Sequence, residues 1–137
     1  MIVVAIMAIL SAIALPNFQT YMAQQRLNGA ARELFGHLAS ARSQAVSVNQ
    51  WVAMNIDNDH QYTLFRDINK DGVVNSGETL STWDIHPTYH DVVFTTSPDT
   101  VFTFYPNGTG STGTLILANA TDSKRITISS AGRIKIN

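Results

Sequence analysis

The residues with the most specific chemical spacing in this 137-residue chain lie between Asp67 and Glu78. Asp67-Ile68-Asn69-Lys70-Asp71-Gly72-Val73-Val74-Asn75-Ser76-Gly77-Glu78 fills every required position of a twelve-residue calcium loop. A hard cation needs a cage of oxygens. Asp67, Asn69 and Asp71 would supply side-chain oxygens, Gly72 the sharp turn and Val73 a backbone carbonyl. Asn75 would act directly or through water, and Glu78 as a bidentate carboxylate. Against this, β-type runs flank the loop where helices flank the usual calcium loop, and Lys70 adds a positive charge. A polar hairpin loop held by Asx-turns would need no ion. Both readings stand, so the cofactor expectation is a structural calcium ion or none.

A second group is basic. The last fifteen residues carry Lys124, Arg125, Arg133 and Lys135 and no acid, whereas residues 51–122 hold nine carboxylates against Arg66 and Lys70. A formal net charge of −1 therefore conceals an acidic middle and a basic end. Strand alternation puts Arg133 and Lys135 on one face, and pairing of the two last strands would gather all four cations into a patch able to contact phosphates. The competing readings are a solvated outer face or a salt-bridging surface for a neighbouring subunit.

Other groupings carry less. Gly108-Thr109-Gly110-Ser111-Thr112-Gly113 matches a dinucleotide fingerprint in letters, but no helix pattern follows to receive a pyrophosphate. His86 and His90 are four apart with Pro87 between them, which argues against a zinc-binding helix face. The chain has no cysteine and none of the local nucleophile or metalloprotease motifs, so no enzyme and no small-molecule substrate is expected.

The elements that position these groups follow from periodicity. Met1 to Leu15 is a charge-free apolar run. Beyond Pro16, the residues Leu27, Ala31, Leu34, Leu38, Ala41, Ala45 and Val48 recur at alternating spacings of four and three, an amphipathic helical stripe. The pattern predicts one long helix, apolar in its first half and head-packing in its second, with a local kink or loosening at Pro16. From Trp51 onward, short alternating runs separated by Gly, Asn, Asp, Pro and Ser predict strands near 51–56, 61–67, 79–85, 91–96, 100–106, 114–118, 125–129 and 133–137. The fold class is α+β, a long N-terminal helix packed on a small antiparallel β-sheet head. The chain divides into a membrane-inserting helix half (1–25) and a head (26–137), the latter made of an amphipathic helix half (26–49) and a β-rich region (50–137).

Residues 2–21, IVVAIMAILSAIALPNFQTY, resemble the N-terminal helix of type IV pilins, with Pro16-Asn17-Phe18 where that family has its proline and aromatic. In the family a leader peptide and a glutamate stand just before this stretch; neither is in this sequence, and the expectation is an N-terminally incomplete chain. The helix-then-strands order, FYPNG (104–108) and the ending ITISSAGRIKIN (126–137) are similar to the GspH/FimT family of minor pseudopilins and minor pilins. The resemblance implies a pilin-like fold and a structural minor subunit of a type IV pilus or type II secretion pseudopilus. Its partners would be other pilin subunits and the inner membrane, with a single-pass transmembrane helix and a periplasmic head. Ile2, Val3, Val4, Ile6, Ile9, Leu10, Ile13, Pro16 and Phe18 would form the membrane and filament surface. Gly132-Arg133-Ile134-Lys135 resembles the ending with which some minor pilins bind DNA during transformation, so capture of extracellular DNA is the alternative function.

Overall fold

The computed structural model describes residues 2–96 and 100–137, without the side chains at 5 and 8–16. One helix, α1 (Ile2–Val48), precedes eight strands: β1 (Val52–Ile56), β2 (Gln61–Arg66), β3 (Thr79–Asp84), β4 (Val93–Phe94), β5 (Thr100–Phe104), β6 (Gly113–Ala118), β7 (Ser123–Ile128) and β8 (Ile134–Ile136). This is the expected long helix on a small antiparallel β structure. The strands divide into two four-stranded sheets, ordered β3-β2-β1-β5 and β4-β6-β7-β8, with every pairing antiparallel.

Helix α1 runs through position 16 without ending, so the expected interruption at Pro16 does not divide the element. Its stripe behaves as the spacing predicts: Leu27, Ala31, Leu34, Leu38, Ala41 and Ala45 are buried, joined by Ala23 and Ala30. Small residues at the contact let the helix backbone lie close over the sheets. Val48 departs from the expectation and is 44% exposed. The helix stops there: Asn49 takes the left-handed conformation (φ 54°) and Gln50 N donates to Ala45 O at 3.2 Å, a Schellman-type closure that turns the chain away.

The stripe meets the inward residues of both sheets. Val52, Met54 and Ile56 of β1, Phe102 and Phe104 of β5, Leu115 and Leu117 of β6, and Ile126 and Ile128 of β7 share one core with the helix. Polar ties fasten α1 to distant loops. Arg26 Nε and Nη2 donate to the two oxygens of Asp91 at 2.6 and 2.9 Å. Asn119 Nδ2 donates to Ala23 O at 2.9 Å, and Arg42 Nε to Gly108 O at 2.9 Å. The Arg26 guanidinium holds the Asp91 carboxyl below its ordinary range.

The expectation of a single-pass transmembrane helix, and with it the inner-membrane location, is corrected. Among the described residues no helix is long and apolar enough to cross a membrane. The uninterrupted apolar run gives way after Leu15 to Pro16-Asn17.

Candidate functional site

Among the described side chains, those of the apolar first half of α1 stay outside the core, which begins at Ala23. Ile2, Val3, Val4 and Ile6 are exposed, Ile2 by 77%, and farther along Phe18 and Tyr21 are exposed by 61% and 55%. Ile9, Leu10, Ile13 and Pro16 of the expected surface lie outside the described side chains. So much exposed apolar surface on one helix is characteristic of an interface between chains.

The Asp67–Glu78 loop connects β2 to β3 and closes on itself. Asp67 and Glu78, its first and twelfth residues, are buried to 2% and 7% exposure. Asp71 N and Gly72 N each donate to Asp67 at 3.0 Å; Ile68 N and Asn75 N donate to Glu78 at 3.0 and 3.2 Å. Asn69 Oδ1 accepts from Asp71 N, and Asn75 Nδ2 donates to Asp71 Oδ2 and to Val73 O. The Val73 amide, then the Asn75 side chain, hold the Asp71 carboxyl below its ordinary value. Gly72 takes the positive φ (73°) that the sharp turn requires, and Lys70 turns out of the loop to lie 5.4 Å over the Trp51 ring. Its charge is therefore drawn away from the loop's oxygens.

Of the four cations at the basic end, three share a face. Thr127 pairs with Lys135, and Arg125 exchanges backbone hydrogen bonds with Asn137, so Arg125, Arg133 and Lys135 project outward together and are exposed. Lys124 belongs to the opposite face, one residue out of step, and is half-buried. A patch of all four does not form. Gly132 has a packing reason to be there: its φ is +72°, and a Cβ at that position would overlap the carbonyl oxygen of Gly108 and lie 2.9 Å from Arg42 Nε. The glycine-rich stretch 108–113 runs from the loop after β5 into Gly113, the first residue of β6, with no helix behind it.

The structure also assembles a group that spacing along the chain did not reveal. One ligand atom from each of His60, Asp84 and His86 lies within 4.8 Å of the others, an arrangement able to hold a metal ion; among the described residues no other group of three does so. Asp67, Asp71 and Glu78 are thus not drawn together to that degree. His86 had only His90 as a sequence neighbour, whereas its spatial neighbour is His60. The signal was in the register: Gln61 pairs with Asp84, and Ile85 N donates to His60 O at 3.0 Å, which brings residues 60 and 86 to one end of the sheet.

Comparison with known proteins agrees with this architecture. The family described as Type II transport protein GspH matches residues 30–132. No curated protein matches. Among solved structures, the type IV minor pilin FimU of Pseudomonas aeruginosa is similar in two crystal forms. The first has 25% identity and a TM-score of 0.63, covering 85% of this chain and 92% of that one. The second has 26% identity and a TM-score of 0.61, covering 81% and 92%. The minor pseudopilin EpsH from the type 2 secretion system of Vibrio cholerae shares the fold, with 14% identity, a TM-score of 0.61 and coverage of 82% and 96%. These relatives are a minor pilin and a minor pseudopilin. The family match over most of the head, on a helix-and-two-sheet fold shared with both relatives, places this chain in the GspH family of type II transport proteins.

Proposed function

We propose that the chain is a structural minor subunit of a pilin-type filament, and that residues 1–25 join it to other pilin subunits while residues 26–137 form the head. The observation that carries this reading is the exposed apolar surface of Ile2, Val3, Val4, Ile6 and Phe18 on a helix whose second half enters the core. The kinship to a minor pilin and a minor pseudopilin supplies the kind of partner: matching helices of other subunits. The DNA-binding alternative draws no support from those relatives, and its patch is reduced to Arg125, Arg133 and Lys135.

A paired substitution tests the assembly role. In Val4→Asp with Ile6→Asp, the head is expected to melt at the wild-type temperature, because neither side chain contributes to its core. Incorporation into filaments, followed by pull-down or cross-linking to other pilin subunits, is expected to fall at least tenfold. Each buried charge in a helix–helix seam costs several kcal/mol. Wild-type incorporation would remove the proposal.

We further infer that the Asp67–Glu78 loop takes a structural calcium ion. The donors are all oxygens, as a hard cation requires, and Gly72 and the two buried terminal carboxylates preserve the loop's geometry. Adding calcium to chelator-treated protein is expected to raise the melting temperature by several degrees. Saturation a hundredfold above Kd contributes about 2.7 kcal/mol. Glu78→Gln should abolish the shift. An unchanged melting curve would mean that the loop's own hydrogen bonds suffice.

A further inference from the structure

We propose that His60, Asp84 and His86 form a second cation site, distinct from the Asp67–Glu78 loop and selective for a zinc-like divalent transition metal. Three observations converge on it. The Nδ1 atom of His60 lies 2.6 Å from Asp59 Oδ1. A carboxylate only accepts, so the proton sits on Nδ1. The other ring nitrogen, Nε2, lies 4.0 Å from Asp84 Oδ2, so an imidazole nitrogen and a carboxylate oxygen face one another across a gap a metal ion could bridge.

The Nε2 atom of His86 is buried and has no hydrogen-bond partner. A polar atom withdrawn from water without a partner is unfavourable, and one coordinate bond would satisfy it. The Asp84 carboxylate, finally, is already oriented: His86 N donates to Oδ1 at 2.9 Å and Gln61 Nε2 to Oδ2 at 3.2 Å. Asp59 behind His60, and Gln61 behind Asp84, are the outer hydrogen bonds that metal-binding imidazoles and carboxylates normally have.

The donor set decides the metal. Two imidazoles and one carboxylate suit zinc and its neighbours, whereas calcium and magnesium prefer oxygen alone. Three protein ligands leave a fourth position for water, and the site is open to it: the side chains of His60 and Asp84 are 29% and 35% exposed. Binding also requires a definite movement. The two imidazoles stack with centroids 4.3 Å apart and planes within 7° of parallel. One ion cannot lie in two parallel ring planes, so one ring must turn about its Cβ–Cγ bond. The ligand atoms would then contract from within 4.8 Å of one another to the roughly 3.3 Å edges of a zinc tetrahedron. The ion would tie the β1–β2 hairpin to the turn after β3, stapling one end of the first sheet.

The test is titration of zinc chloride into the chelator-treated full chain by calorimetry, with cobalt(II) absorption as a second readout. One equivalent is expected to bind, and cobalt to give the intense visible bands of a tetrahedral site. His60→Gln and His86→Gln should each lower affinity at least tenfold, and Asp59→Asn by tenfold or more through the orientation of His60. His90→Gln, and Glu78→Gln in the calcium loop, should leave zinc affinity unchanged. Circular dichroism in chelator identifies any variant that fails to fold, and the second histidine variant then decides. Absence of one-equivalent binding, or affinity that survives both histidine substitutions, would overturn the proposal.

Discussion

Replacing Gly132 by alanine is expected to destabilise the head by about 3 kcal/mol or more, far beyond an ordinary surface change. Two costs combine. A non-glycine residue at φ +72° carries a penalty of about 1 kcal/mol. The added Cβ would also overlap the Gly108 carbonyl, which is backbone and cannot swing aside. Relief requires the turn between β7 and β8 to move off the Gly108 loop, at the expense of the hydrogen bond from Gly110 N to Ser130 O (3.1 Å) that ties the two together. Gly36 is the internal control. It is an exposed helical glycine where an added methyl would meet nothing within 4 Å, so Gly36→Ala should stabilise by about 0.5–1 kcal/mol. Urea denaturation of both variants checks the contrast. Equal effects would mean that the close approach at Gly132 is not what holds the turn down.

Phe104→Ala carries the other large effect, an expected loss of about 3–5 kcal/mol. The Phe104 ring is fully buried where β5 meets the helix stripe and the second sheet, and Gly110 lies against it, with an added Cβ only 3.1 Å from the ring. Phe102 is seated in the same way over Gly113, where a Cβ would come within 2.5 Å of the ring. Glycines that a nucleotide-binding fingerprint would assign to phosphate contact instead make room for two aromatic rings. At about 4 °C per kcal/mol for a domain of this size, the melting temperature should fall by roughly 12–20 °C. A fall of only a few degrees would show that the core collapses around the missing ring.

What the sequence made legible was what local periodicity encodes. The stripe from Leu27 to Ala45 was readable because a helix repeats its buried face every three to four residues. The strands were readable because Ile126 and Ile128, or Ile134 and Ile136, alternate with polar neighbours. Val48 was misplaced because periodicity does not say where a helix meets its cap, and Asn49 ended it. The partition into two sheets, and the meeting of His60 with His86, were beyond local reading because both depend on which strands pair across the fold. Lys124 illustrates the same limit at the scale of one residue: charge counting grouped it with Arg125, while the pleat sends adjacent residues to opposite faces. Gly132 looked like part of a basic motif until its positive φ and its contact with residue 108 supplied a reason from packing alone.

The bond from Asn119 to the Ala23 carbonyl spans 96 residues, and that of Arg42 to Gly108 spans 66. Synthesis delivers α1 long before the strands that cover it. While those strands are still being made, the Leu27–Ala45 stripe has no lid, and a nascent subunit presents two sticky surfaces where the finished one presents a single exposed helix half. Folding that waits on such distant contacts is slow and exposed to wrong partners. A cell making this subunit therefore has to shelter its helix until β6 and β7 arrive, and the order of emergence sets how long that shelter must last.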